Sequence, residues 1–542
     1  MVSVFFMLAH FASAEVVYKD GTARIQATTQ NLMDIKDTNY LEIKNGVCYV
    51  KKPIVVSSTG TLNVDTTSCN TVNMYAASGI TVYGKIYFDG VKVTSYDPNT
   101  GKPIELSRTN YSTVRPDVIT RSSAQYFSAK NSEFSYLGYY NSVSSHWGVA
   151  LRFLPKADIT NSKFHHNYFG FYTFDSDNVT IQNSEVHDNL EYGIDIHDFS
   201  DNFNASNNVV YNNGNHGIIL SKYNENGKII GNKVYDHTQN AFVKGKVQTY
   251  GTHGIELHLQ SNHALVSGNE LTNNRIGIKL ANSDSSQVKS NKVVSDLEQG
   301  FFIDQSSHNE ITSNQVVASV KEPLYSFNSF YNKYDLNNWG GADDILYVKI
   351  DDKGAVTRYK FPAPGADAKL NSYATPPGSS APKVAAANNA QIPAPIPVSI
   401  PATIVSKIAV NDAPRVIEAD ENVEIDTARD AKLGIKVNSN RTRDQEKAYV
   451  DKIKKYEKEI AKDLIVNKTT TKAAKNKITP ADKSMTAAEK ADTIKSAESN
   501  NDKVEVDKVR DKTLGIKSVN TRQQEQDYVD KIAQYERKMA KK

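Results

Sequence analysis

Cysteine is scarce in this 542-residue chain. Cys48 and Cys69 are the only two, which excludes a disulfide-dense scaffold and any zinc-ribbon array. Long hydrophobic runs are missing too: none reaches the roughly 18 residues that a membrane-spanning helix needs. There is no surplus of charge of one sign. Sixty-four Lys and Arg face 61 Asp and Glu, leaving +3, so nothing global draws the chain to nucleic acid or to an anionic membrane. Apolar residues make up 39% of the chain. That is low for a compact globule of this size, and part of the chain is expected outside any core.

What the chain does have is a repeat. Gly148, Gly170, Gly193, Gly217, Gly254, Gly277 and Gly300 each open a short alternating run: GVALRF, GFYTFD, GIDIHD, GIILSK, GIELHL, GIKLAN and GFFIDQ. The intervals are 22, 23, 24, 37, 23 and 23 residues, the long one holding an insertion from about Thr238 to Tyr250. A second ladder runs out of step with the first, through Asn161, Asn183, Asn208, Asn232, Asn269, Asn291 and Asn314. Two short strands per 22–24 residues, punctuated by Gly and Asn, predict a stacked β-solenoid. One residue past each glycine stand Val149, Phe171, Ile194, Ile218, Ile255, Ile278 and Phe301. Three past it stand Leu151, Thr173, Ile196, Leu220, Leu257, Leu280 and Ile303. All but Thr173 are apolar, so both columns are expected to face the core and the residues between them to face outward. A leucine-rich repeat would need its own leucine spacing and a helix per repeat. The fold expected is therefore all-β, a right-handed parallel β-helix.

The regular rungs run from about Tyr139 to about Val320 within a main β-helix domain at 139–360, with an N-terminal β region and first rungs at 15–138. Residues 1–14, MVSVFFMLAHFASA, end in a small-x-small pattern at Ala12-Ser13-Ala14. They read as a signal peptide without its positive n-region, or else as a buried strand. Cys48 and Cys69 would stack on neighbouring rungs, within disulfide reach if the chain is exported; two unrelated buried thiols are the alternative. Residues 361–422 form a Pro/Ala-rich linker. Within 423–542 a duplication follows: VEIDTARDAKLGIK matches VEVDKVRDKTLGIK, and YVDKIKKYEKEIAK matches YVDKIAQYERKMAK. Val450, Ile453 and Tyr456 fall at helical spacing, so this tail is expected to be partly helical and partly disordered. It is read as a solvated tail, or as an attachment module for a cell surface or a partner protein.

The outward columns two and four past each glycine read Ala150/Arg152, Tyr172/Phe174, Asp195/His197, Ile219/Ser221, Glu256/His258, Lys279/Ala281 and Phe302/Asp304. Asp198 and Lys222 lie one position further on, and Tyr192 just before its glycine. Rungs spaced about 4.8 Å apart would place these groups against successive sugars of a linear, charged, hydroxylated polymer. The bland alternative is a solvated ladder of charges. The densest cluster is Tyr192-Gly193-Ile194-Asp195-Ile196-His197-Asp198. It supplies what abstraction of a proton α to a carboxylate requires: a cation against the carboxylate, a base, and an acid to return a proton.

YGIDIHD, preceded by FHHNYFGFYTFDSDNVTIQNSEVHDN and followed by NNGNHGIILSK, resembles the mannuronan C5-epimerases of alginate biosynthesis, especially the periplasmic bacterial type. In that family a YG-x-D-P-H-[DE] motif sits on a right-handed parallel β-helix. The resemblance covers about 40–340 and does not reach the tail. It implies His197 as catalytic base, Tyr192 as proton donor, Asp195 and Asp198 as the two acidic motif positions, and Lys222 in place of the arginine that neutralises the substrate carboxylate. Ile196 replaces the motif proline, and lysine keeps the charge but loses the bidentate fork.

The function expected is conversion of β-D-mannuronate to α-L-guluronate residues within an alginate-like polymer. His197, Tyr192, Asp195 and Lys222 would be catalytic, and Asp198, Arg152, Tyr172, Glu256, His258 and Lys279 would bind substrate. No cofactor or metal is implied, and the sequence carries no nonapeptide calcium repeat. The partner is a linear anionic polysaccharide, with no nucleic acid and no membrane span, and the chain is expected to be exported. A polysaccharide lyase shares the first step and then expels the 4-O substituent. Non-enzymatic solenoids of copper-site maturation or cell surfaces are a second rival. A hydrolase using Asp195 and Glu256 is a third.

Overall fold

The computed structural model describes residues 15–373, apart from 27–28, 141–145, 295, 320, 341–343, 351–354 and 364–365, together with residues 447, 448, 450, 451, 454, 455 and 458. The expected signal peptide, the linker beyond residue 373 and the second tail copy lie outside the described residues. So do Ile453 and Tyr456.

Strand follows strand in a stack of parallel pairs. Val149–Arg152 is succeeded one coil later by Phe171–Phe174, then by Ile194–His197, Ile218–Leu220, His253–His258, Ile276–Ala281 and Phe301–Asp304. Among the described residues the coils build three long sheets, of 15, 12 and 12 strands. Each full coil therefore contributes three strands, not the two read from the sequence. The extra strand is short, as in Lys163–His165 and Glu185–His187. Three residues with a single inward apolar side chain, Phe164 or Val186, show no alternation to detect.

The two inward columns are buried as their period requires: Phe171, Ile194, Ile218 and Ile255 in one and Leu151, Ile196, Leu220 and Leu257 in the other are fully covered. Thr173, the exception, donates its hydroxyl to Ser200 Oγ at 3.0 Å inside the coil. The asparagine ladder is real, but its lower register is shifted. Asn161 and Asn183 occupy the left-handed region, at φ 49° and 51°, as turn residues. The ladder itself runs Ser162, Ser184, Asn208, Asn232, Asn269, Asn291 and Asn314, each backbone N–H donating to the next side-chain oxygen at 2.9–3.1 Å. Pairing the turn amides in this way lets polar backbone enter the core without an orphaned donor.

The glycine column has a steric cause. A Cβ on Gly193 would lie 2.5 Å from the carbonyl oxygen of Gly217, and one on Gly217 would lie 2.6 Å from that of Gly254. Successive coils approach too closely there for any other residue. The insertion forms an antiparallel hairpin, Asn240–Val243 with Lys246–Gly251. It leaves the stack untouched, because Ile218 still pairs with Ile255. Cys48 and Cys69 are bonded, with Cα atoms 5.8 Å apart, and tie neighbouring coils together. The 15-stranded sheet ends in antiparallel strands, Glu15–Lys19 on Thr22–Gln26 and Val356–Pro362 on Asp344–Ile350.

Candidate functional site

Outward does not mean exposed on this sheet. Asp195, Ile219, Glu256 and Lys279 stand in one column, and Arg152, Phe174 and His197 in the next. Yet Arg152 is 5% exposed, His197 6%, Asp195 3% and Glu256 0%. The strip expected to line a groove is thus no solvated ladder of charges but the largely covered floor of a trough.

One wall is formed by the residues just before each glycine. Trp147, Phe169, Tyr192, His216 and His253 form a ladder of rings with centroids 5.1, 5.2, 5.6 and 4.2 Å apart in turn. Sequence reading took only Tyr192 from this column. The preceding residue of every glycine was the available signal. The opposite wall is the turn after each strand, with Phe153, Asp175, Phe199 and Tyr223 all at positive φ. There the tail meets the solenoid. Lys447 and Lys454 donate to the two carboxylate oxygens of Asp175 at 2.7 and 2.8 Å, their ammonium groups over the rings of Phe199 and Phe153. Val450 is buried in the same aromatic cluster. Positions i, i+3 and i+7 share one helix face.

Within the trough, His197 Nδ1 lies 3.8 Å from Asp195 Oδ1, and Nε2 lies 3.2 Å from Asp198 Oδ1. Tyr172 sets its ring 5.7 Å from the imidazole. Burial raises the Asp195 carboxyl above its ordinary range, and His197 offsets this in part. Tyr192 is five residues earlier, before the strand begins, with its ring packed in the wall between Phe169 and His216. Lys222 lies one coil beyond Asp198, whose neighbour Phe199 bonds to its carbonyl, and its ammonium is 5.2 Å from the Tyr223 ring. Arg152 rests on Phe153 and Phe174 at 4.9 and 5.4 Å.

Higher in the trough, Glu256 gathers four partners. His253 Nδ1 is 2.9 Å, Lys279 Nζ 3.0 Å, His216 Nε2 3.1 Å and His258 Nδ1 3.4 Å from its oxygens. Burial alone would raise this carboxyl, but Lys279, His253 and His216 hold it well below the usual carboxylate range. His216, His253 and Glu256 place donor atoms within 4.8 Å of one another, as a metal site would. The donor set does not fit one. His216 Nδ1 already accepts the His253 backbone N–H at 3.0 Å, so the neutral ring carries its proton on Nε2 and aims it at Glu256. The same carboxylate also faces the Lys279 ammonium. Burial, with His253 beside it, keeps His216 far from protonation.

A family model described as right handed beta helix region matches residues 54–234, which gives the coil its hand. One described as periplasmic copper-binding protein (NosD) matches residues 234–349. The mannuronan C5-epimerase of Pseudomonas aeruginosa is 26% identical over 173 residues, 29% of this chain and 31% of that protein. The enzyme of the same description from Pseudomonas fluorescens is 27% identical over 205 residues, 34% of this chain and 38% of that one. The chain thus spans about a third of the length of these relatives. A solved structure, the periplasmic alginate epimerase AlgG, superimposes with a TM-score of 0.52 at 23% identity, covering 56% of this chain and 72% of the other. That likeness bears on the fold. Among the described residues no helix is long and apolar enough to cross a membrane.

Proposed function

We propose that this chain is a polyuronate C5-epimerase that converts β-D-mannuronate to α-L-guluronate residues within an alginate-like polymer. The observation that carries the reading is His197, held between Asp195 and Asp198 on the floor of the trough, with Tyr192 in the wall of the same coil. His197 takes H5 of the sugar as a proton, and the C5–H electron pair spreads into the C6 carboxylate. Lys222 opposes the charge that develops there. Tyr192 delivers a proton to the opposite face of C5, which inverts the centre without cutting the chain. Arg152, Tyr172, Asp198, Glu256, His258 and Lys279 line the path of neighbouring sugars.

The Cys48–Cys69 bond supports a site of action outside the cytoplasm, periplasmic or beyond. The second tail copy has Gln526 and Ala533 where the first has Lys447 and Lys454. It lacks the groups that hold Asp175 and is left for attachment to a surface or a partner.

The test is proton NMR of mannuronan treated with the protein in deuterated water. Deuterium at C5 with inverted configuration is the expected result, and His197→Ala should lower its rate. An unsaturated, ultraviolet-absorbing chain end in place of inversion would assign the site to a lyase. Unaltered polymer would remove the catalytic reading.

A further inference from the structure

We infer that the His253–His258 strand carries a second proton-transfer centre, acting on the same polymer two sugars along from His197. The inference rests on the polyuronate reading. Its first support is a match of pattern: His253-Gly254-Ile255-Glu256-Leu257-His258 repeats Tyr192-Gly193-Ile194-Asp195-Ile196-His197 position for position. A proton donor precedes the glycine, an acid stands in the middle and a histidine closes the run.

The second support is register. Ile194 pairs with Ile218, and Ile218 with Ile255, so the two runs lie two coils apart, about 9.6 Å at 4.8 Å per coil. In a ribbon-like chain of β-1,4-linked sugars, alternate units present the same face. A centre two coils on therefore meets an equivalent C5–H.

Geometry repeats as well. His258 Nδ1 is 3.4 Å from Glu256 Oε1, as His197 Nδ1 is 3.8 Å from Asp195 Oδ1. An ammonium group follows on the next coil in each case, though in different columns: Lys279 pairs with Glu256, whereas Ile219 pairs with Asp195 and Lys222 stands three residues beyond it. His253 takes the place of Tyr192 in the wall, its Nδ1 2.9 Å from Glu256 Oε2. Stacking does not demand these groups. Ile219 occupies the same column one coil below and is just as well buried, so an aliphatic side chain fits there at no cost in desolvated charge.

In the step itself, His258 Nε2 takes H5 as a proton and the C5–H pair moves into the carboxylate beside Lys279. The imidazolium of His253 returns one proton to the opposite face of C5. One proton leaves the sugar and one arrives, and exchange with water restores both rings.

The experiment measures C5 deuterium incorporation into mannuronan by wild type, His197→Ala, His258→Ala and the double variant. Each single variant is expected to keep about a tenth of the wild-type rate or more, and the double variant to fall at least 10²-fold below either. His197→Ala as inert as the double variant, beside an active wild type, would overturn the second centre and leave the first. A His258→Ala change confined to KM would likewise reduce the strand to a binding subsite. A wild type that exchanges nothing overturns the function and this inference together. If His258→Ala does not fold, His258→Gln takes its place in the series.

Discussion

The Tyr192–His197 and His253–His258 runs share one pattern, yet their central carboxyls respond to burial in opposite ways. Asp195 has one imidazole close by, and burial wins: its carboxyl is raised. Glu256 is more deeply covered but is ringed by Lys279, His253, His216 and His258, and the charges win. The surroundings differ too. The wall beside the first run carries the tail lysines on Asp175. The second run has the hairpin insertion just before it in the chain. One motif thus gives two electrostatic states, and the neighbouring coils decide which.

The sharpest way to break this contrast is to remove a cation. Lys279→Met leaves Glu256 buried without its ammonium and should cost about 3 kcal/mol, as for a severed buried pair, read from urea unfolding at neutral pH. Asp195→Asn should cost well under half of that, because its carboxyl is already pushed toward the neutral form. Equal losses would erase the distinction. The sign with pH follows from linkage. The Glu256 carboxyl is depressed in the folded state, so its contribution is present above the ordinary carboxylate range and lost as pH falls through the depressed value. Lys279→Met should move that acid loss to higher pH.

A third carboxyl sharpens the same point. Asp296 ends a column of buried amides, accepting the Asn274 backbone N–H at 2.8 Å, and burial without a cation raises it well above its usual value. Asp296→Asn should stabilise the protein by about 1 kcal/mol at neutral pH. The unfolded chain ionises first as pH rises, so the wild type loses stability through that interval. The gain should vanish once the pH falls below the ordinary aspartate range. A gain that persists in acid would mean that ionisation is not its source.

The smallest effect concerns the wall. Lys447→Ala with Lys454→Ala should change global stability by less than about 1 kcal/mol, since both lysines are partly exposed. Amide exchange over 447–454 should nevertheless quicken while the coils keep their protection. Unchanged exchange would mean that Asp175 does not hold the tail.

Much of this molecule is written in its periodicity. The inward columns were legible because alternation around each glycine leaves Ile194 and Ile196 no other place to go. The motif at 192–198 was legible because acid, base and phenol fall on one coil. The polar ladder was misplaced by one at Ser162 and Ser184, since an asparagine stands just before each and takes the left-handed turn instead. The third strand of each coil was too short to show a period. Burial of the outward strip could not be read at all. Asp175 is covered by lysines 272 and 279 residues away, and no local pattern reports a contact of that range. His216 and His253 went unnoticed because residues before a glycine read as turn rather than wall.

The close contact at the glycine column has a consequence for how such a trough can change. Because every coil seats on the carbonyl of the next, positions along the groove come in whole steps, like the teeth of a rack. Loops can lengthen, as the hairpin shows, without moving Glu256 by a fraction of a step relative to Asp195. Spacing between sites can alter only by gaining or losing an entire turn. A polymer with a different sugar repeat would therefore fall out of step within a few units, however well its first residue fitted.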